Sequence, residues 1–314
     1  MIRKIDGTFF EFRHHNTAEG KYWNPALEKF TSENWRQKVR EIAEIKMEYI
    51  VVMATALYDK CYFNSKVFPF AEIPCSDPIE EILDEADKCK VKVFLGNGFY
   101  GDWTKPHNNM TSKEIIDRSF FAMEELTALY GHHESFYGWY FPDETCIILN
   151  FSKDFTKYVN LCTAHCRTIT PGKKTLIAPY GTNLALPNSR YVKTLSELDV
   201  DFIAYQDEVG VKKTKVQRTE KIFERLRKAH DKAGRAELWA DIELFDFEGL
   251  VYKSALVPAK IERITRQIEN VAPYCDKIIS YQYLGIMNPE NSPSFAGHPD
   301  SAKLYEDYKK YINK

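Results

Sequence analysis

The sequence predicts a (β/α)8 TIM barrel, an α/β fold built as a single domain over residues 1–314. Three observations predict it. Strand-like apolar runs and amphipathic helical stretches alternate eight times without a break in rhythm, and strict βα alternation implies a parallel sheet with right-handed crossovers. Runs such as Glu48-Tyr-Ile-Val-Val-Met-Ala-Thr-Ala-Leu57 are continuously apolar, which suits strands covered on both faces. No linker, low-complexity segment or composition shift marks a second domain, and eight units in this length favour closure into a barrel. An open doubly wound sheet is the runner-up. The exit of the first strand, Phe9-Phe-Glu-Phe-Arg-His14, lacks the glycine fingerprint such a sheet would use for a nucleotide.

The elements follow in order. Ile5 to Phe12 reads as the first strand, with a polar loop through His14, His15 and Trp23 behind it. Thr31 and Ser32 cap a helix from Glu33 to Lys46, where Trp35, Val39, Ile42 and Ile45 recur at helical spacing. Glu48 to Leu57 is the second strand, followed by an aromatic loop from Tyr58 to Pro74. Asp77-Pro78 opens the helix Ile79 to Lys90, with proline in its first turn. Val91 to Phe99 is the third strand. The helix Ser112 to Tyr130 stops at Gly131. Tyr137 to Phe141 is the fourth strand, ended by Pro142, which removes a ladder donor. The helix Ser152 to Ile169 ends before Pro171-Gly172, and Lys174 to Tyr180 is the fifth strand. Ser189 to Leu198 is a short helix or an irregular crossover. Asp201 to Glu208 is the sixth strand with its exit, and Thr214 to Ala233 is a helix closed by Gly234. Glu237 to Phe245 is the seventh strand, Pro258 to Val271 a helix, Lys277 to Tyr283 the eighth strand and Asp300 to Ile312 the last helix.

Composition excludes several classes. Lys+Arg is 43 against 45 Asp+Glu, so there is no basic block or stripe for a nucleic acid or an anionic membrane surface. No apolar run approaches membrane-spanning length, and the start, Met1-Ile-Arg-Lys-Ile-Asp-Gly7, lacks a signal-peptide hydrophobic region. The seven cysteines are scattered, which predicts reduced thiols and a cytoplasmic location. The 19 Tyr, 20 Phe and 5 Trp fill a core in the plain reading, and line a cleft for planar or sugar-like ligands in the functional one.

In such a barrel the active site lies where strands exit into βα loops. The polar residues at those exits include Glu11 and His14 on strand one, Asn97 on strand three, and Asp143 and Glu144 on strand four. Tyr180 follows on strand five, Tyr205 to Glu208 on strand six, Asp241 and Glu243 on strand seven, and Gln282 and Tyr283 on strand eight. Side chains alternate faces, so Gly138, Tyr140, Pro142 and Glu144 share one side of strand four, and Trp239, Asp241 and Glu243 share one side of strand seven. Strands four and seven lie across the barrel mouth from each other. A lone Glu at a strand exit is usually a loop residue or half of an ion pair. Two carboxylates facing each other across a pocket are what glycosidic cleavage needs, one to protonate the leaving oxygen and the other to attack the anomeric carbon or activate water. A separation of ~5 Å implies retention and ~6.5–9.5 Å inversion.

The remaining candidates are weaker. Trp103, Tyr180, Tyr205 and Tyr283 could stack on sugar rings or simply pack loops. Cys162, His165 and Cys166 share a helical stretch but lack a fourth ligand, so they read as packing. His14-His15 and His132-His133 match no metal spacing, and the second pair precedes strand four at the opposite end of the barrel. Lys212, Lys213 and Lys215 read as solvated surface.

The acidic exits of strands four and seven resemble clan A glycoside hydrolases. That resemblance implies Glu144 as acid/base and Glu243 as nucleophile. The clan usually has Asn immediately before the acid/base, binding a sugar hydroxyl, whereas Asp143 stands there in this sequence. Asp6-Gly-Thr-Phe-Phe10, Trp35 with the helix running into Met47-Glu-Tyr-Ile-Val-Val52, and Gly138-Trp-Tyr-Phe-Pro-Asp-Glu144 are similar to a bacterial group read as TIM-barrel glycosidases, domain-of-unknown-function family 4434. The resemblance implies a sugar-active enzyme.

The expectation is a glycoside hydrolase acting on a small oligosaccharide or glycoside. Glu144 and Glu243 would be catalytic, and Glu11, His14, Asn97, Trp103, Asp143, Tyr180, Tyr205, Asp241 and Gln282 would bind substrate. No metal or cofactor is expected, and the partner is a carbohydrate; the oligomeric state stays open. The alternatives are a metal-dependent sugar isomerase or epimerase, and a carbohydrate-binding barrel without catalysis.

Overall fold

The computed structural model describes residues 3–314, so Met1 and Ile2, part of the N-terminal reading above, lie outside the described residues. The barrel strands are β1 (Gly7–Phe10), β2 (Tyr49–Val52), β3 (Lys92–Gly96), β4 (Phe136–Tyr140), β5 (Lys174–Ile177), β6 (Phe202–Gln206), β7 (Glu237–Glu243) and β8 (Lys277–Tyr281). Each pairs in parallel with the next, and β8 returns to β1 to close the ring. The helices after them are α1 (Ser32–Glu44), α2 (Pro78–Cys89), α3 (Lys113–Tyr130), α4 (Lys153–Ile169), α5 (Ser189–Glu197), α6 (Val216–Ala233), α7 (Ile261–Val271) and α8 (Ser301–Ile312).

Local chemistry starts these helices. Asp77 accepts the Glu80 N–H at 3.1 Å, Ser152 that of Phe155 at 3.1 Å and Asn188 that of Tyr191 at 3.1 Å. Each cap contributes about 1 kcal/mol. The strands bury both faces in two separate cores. Outward residues such as Val93, Leu95, Trp139 and Ile203 pack under the helices. Inward residues, among them Phe9, Tyr49, Phe94, Tyr140, Phe202 and Trp239, plug the barrel. Phe202 stacks on Trp239 at 4.5 Å and Tyr49 meets the same indole edge-on at 5.1 Å. Such pairs add about 0.5–1.5 kcal/mol beyond burial. The plug seals the N-terminal half of the barrel and leaves the C-terminal mouth open. Among the described residues no helix is long and apolar enough to cross a membrane.

Several strands end earlier than expected, and three boundary differences add structure beside the mouth. The second apolar run leaves the barrel after Val52 and forms a small hairpin, Ala56–Leu57 with Lys60–Cys61. The seventh run ends its barrel segment at Glu243. Phe245–Phe247 then pairs antiparallel with Leu256–Pro258. Pro258 therefore closes a hairpin edge, where a missing N–H costs little, instead of opening α7.

Candidate active site

Alternation along the strands decides what reaches the mouth. Tyr140 on β4 points inward, and Glu144, four residues on, returns to the same side. On β7 the inward series runs Trp239, Asp241, Glu243. Register places Gln206 of β6 beside Asp241, and Tyr281 of β8 beside Glu243. Together with His14, Tyr180 and residues of the surrounding loops they line a cavity of about 420 Å³.

Glu144 is held at both oxygens. Tyr140 Oη donates to Oε1 at 2.7 Å and Gln206 Nε2 donates to Oε2 at 2.7 Å. Burial pushes its carboxyl up to about 7 against the pull of those two bonds. Glu243 is 4% exposed, and its Oε2 accepts the Val211 N–H at 2.8 Å. Burial and the neighbouring Asp207 push it up to about 8. The loop after β6 makes this contact possible. A Cβ on Gly210 would lie 2.6 Å from the Phe245 carbonyl oxygen and 3.0 Å from the Glu243 carboxylate, so only glycine lets the loop come this close. Beneath it, Asp207 Oδ1 accepts the Glu243 N–H at 3.3 Å, and its Oδ2 accepts Gln267 Nε2 at 2.6 Å. Asp241 lies between the two glutamates in electrostatic effect. Burial, then the charges of Glu144 and Glu243, push it well above the usual carboxylate range.

A second network borders the cavity. His14 Nδ1 is 3.1 Å from Glu11 Oε2 and its Nε2 is 3.2 Å from Glu19 Oε2. Burial pulls His14 down, but the two carboxylates outweigh it and hold the ring at about 9, cationic at neutral pH. Burial pushes Glu11 up, yet His14 and Gln282 keep it below its ordinary value. Trp23 Nε1 and Gln282 Nε2 both donate to Glu11 Oε1, at 2.9 and 2.7 Å.

The structure brings Glu144, Glu243, His14, Tyr180 and Asp241 to one cavity. Glu11 and Gln282 stand directly behind His14 as its support. Trp103 is one residue removed, edge-on to the lining residue His15 at 4.5 Å. Asn97, Asp143 and Tyr205 do not reach it. Each occupies an outward position of its strand or exit and bonds under the helices. Asn97 donates to Ser119 Oγ at 2.9 Å, Asp143 accepts from Asn109 Nδ2 at 2.8 Å, and Tyr205 Oη sits 3.0 Å from both Tyr191 Oη and His230 Nε2. Asp143, buried there, is pushed up to about 7. The residue standing where clan A enzymes keep their amide is thus tied to a neighbouring loop. Tyr283 is likewise buried outside the barrel, donating to Glu41, and Tyr281 takes the lining position. Lys213, expected at the surface, reaches the cavity with its ammonium 5.1 Å above the Tyr180 ring. Gln206 and Glu208 were legible as exit residues. Strand parity from Phe202 and Ala204 would have preferred them to Tyr205.

Among the described residues, metal-capable groups gather within 4.8 Å as Glu11–His14–His15 and as Glu80–His132–His133. In the first, both His14 nitrogens already face carboxylates, and burial with the His14 charge pulls His15 down to about 3. The second lies outside the cavity, where His133 bridges Asp87 and Glu80. Cys162 and Cys166 are free buried thiols, and His165 stacks on Phe120 at 4.0 Å, which is helix packing.

A family model, DUF4434, a domain of unknown function, matches residues 5–297. No curated protein matches. Among solved structures, a provisionally assigned alpha-L-fucosidase from Bacteroides thetaiotaomicron superposes with a TM-score of 0.77 at 18% identity, covering 99% of this chain and 93% of that one. The endo-1,4-beta-mannanase of Rhizomucor miehei superposes at 0.58 and 10% identity, covering 99% and 95%. A family GH29 alpha-L-fucosidase from Bacteroides thetaiotaomicron superposes at 0.54 and 12% identity, covering 98% and 71%. At these identities the shared property is the barrel fold.

Proposed function

This chain belongs to the DUF4434 family, and we propose that it is a glycoside hydrolase acting on a small oligosaccharide or glycoside, with Glu144 as acid/base and Glu243 as nucleophile or base. The observation that carries the reading is the pairing of two glutamates, from the exits of β4 and β7, over one cavity. The activities named for proteins of the same fold are of this class.

The geometry suits the division of labour. Burial keeps a proton on Glu144 up to about pH 7, available to a leaving oxygen. Once that proton is given up, Tyr140 and Gln206 already donate to both oxygens of the carboxylate left behind. Glu243 must act ionised. The Val211 N–H favours that form, and so does positive charge developing at the anomeric carbon. The reactive form is therefore the singly protonated pair with its proton on Glu144, and because Glu243 is raised further than Glu144 this is the minor of that pair's two arrangements. Asp207, Gly210 and Gln267 act through Glu243 by fixing its backbone and its approach.

The Glu11–His14–His15 group is the one observation that favours a metal-dependent isomerase. Binding a cation there would displace His14 from Glu11 or Glu19, so hydrolysis is the better-supported reading. A panel of nitrophenyl glycosides and natural oligosaccharides, run with Glu243→Gln as control, tests it. Release of reducing sugar that disappears in the control supports hydrolysis. Metal-dependent ketose–aldose conversion without bond cleavage would replace it.

A further inference from the structure

The cavity has a surplus of acceptors. Asp241 and Glu208 both line it and are 2% and 0% exposed, yet Asp241 Oδ1 and Glu208 Oε1 have no hydrogen-bond partner among the described residues. A buried carboxylate oxygen without a donor is costly, and native structures rarely leave one unexplained. The donors around it are engaged elsewhere. Tyr140 Oη and Gln206 Nε2 bind Glu144, and Gln206 also reaches the Ala178 carbonyl at 3.0 Å. His14 is held between Glu11 and Glu19. The Lys213 ammonium stands 3.7 Å from Glu208 Oε1, beyond hydrogen-bond length, and over the rings of Tyr180 and Tyr252 at 5.1 and 5.7 Å.

The backbone aims Glu208 deliberately. It adopts φ 55°, a left-handed conformation uncommon for a non-glycine residue. The N–H groups of Lys213 and Thr214 hold it there by donating to its carbonyl oxygen at 3.1 and 3.0 Å. Strain of this kind collects where a side chain has a ligand to meet.

We infer that Glu208 and Asp241 are ligand-binding residues that accept hydroxyl protons from a neutral, polyhydroxylated sugar ring, and that the cavity discriminates against uronic acids. The inference rests on the reading of this cavity as a sugar site. Burial favours the neutral form of Asp241; hydroxyls donating to it and to Glu208 favour the ionised carboxylates, in strong charge-assisted bonds. A uronate would bring one more carboxyl group to a cavity that already presents those of Glu19, Glu144, Glu208, Asp241 and Glu243. Of the two cations near it, His14 is held between Glu11 and Glu19, and Lys213 faces Glu208 at 3.7 Å.

Binding of unmodified monosaccharides tests this without turnover. Glucose, galactose and mannose would be titrated by calorimetry or ligand-observed NMR, alongside glucuronate, galacturonate and mannuronate, on the wild type, Glu208→Gln and Asp241→Asn. At least one neutral sugar should bind, its uronate counterpart should bind at least about tenfold more weakly, and each variant should lose about tenfold in affinity for the neutral sugar. Circular dichroism confirms that the near-isosteric variants are folded. Failure of all neutral sugars to bind, a uronate binding as tightly, or unchanged affinity in both variants would overturn it. The two readings separate cleanly. Neutral-sugar binding with no cleavage of any glycoside sinks the hydrolase alone, and cleavage of uronides with preference over neutral glycosides sinks this inference alone.

Discussion

Replacing Glu243 with Gln should stabilise the protein, and only at neutral to alkaline pH. The side chain is 4% exposed, and its carboxyl is raised from 4.5 to about 8 by burial and by Asp207. A raised folded pKa means that between those values the native chain holds a proton that the unfolded chain has released. Stability therefore falls as pH rises through that window, by about 1.4 kcal/mol per pH unit at most. Across the whole window the upper bound is about 5 kcal/mol. Local relaxation and water entry leave an expected gain of about 1–3 kcal/mol for Glu243→Gln at pH 8, and near zero at pH 4.5. The amide keeps an oxygen for the Val211 N–H and offers a donor toward the cavity's acceptors. For a chain of this length the gain corresponds to a melting temperature higher by about 2–4 °C. Thermal scans and urea titrations of both proteins at pH 4.5, 6 and 8 measure it. A variant no more stable than wild type at pH 8, or one whose gain is the same at every pH, would refute the argument that this carboxylate is held in its site at a cost in stability.

Two further outcomes follow from the same groups. The kcat/KM of the free enzyme should peak between about pH 7 and 8, because the pair carries one proton only between the two values; a profile flat from pH 5 to 9 would contradict the assignment. His14→Ala should destabilise by about 3–5 kcal/mol in denaturant titrations near pH 6, since it leaves Glu11 buried without its cation. The loss should shrink as pH rises toward about 9, where wild-type His14 itself loses its charge.

The barrel was legible because its signal is global. Eight strand-like apolar runs in alternation with amphipathic helices leave few topologies, and errors of a few residues at Val52 or Pro258 do not change the count. The placement of Glu144 and Glu243 at the mouth was legible for the same reason, since the exits of β4 and β7 follow from the count alone. Which of the other candidates line the cavity was harder to read. Asn97, Asp143 and Tyr205 differ from true lining residues by one step along a strand, and one step exchanges the barrel interior for the helix layer. Parity along β6 would have corrected Tyr205 to Gln206. No parity argument reaches Val211, Lys213 or Tyr252, because loops carry them to the cavity from positions with no repeating period. The charge on Lys213 pointed to solvent, while the two aromatic rings that draw it inward come from other segments of the chain.

The central claim is that Glu144 and Glu243 perform different halves of one cleavage. Comparing Glu144→Gln and Glu243→Gln on glycosides with good and poor leaving groups tests it most directly. Glu144→Gln should keep substantial turnover when the leaving group is an acidic nitrophenol that needs no proton. It should lose about 10²–10⁴-fold when the leaving group is a sugar or alkyl alcohol. Glu243→Gln should be inactive on both. Full activity in Glu243→Gln, or the same leaving-group dependence in the two variants, would contradict the account.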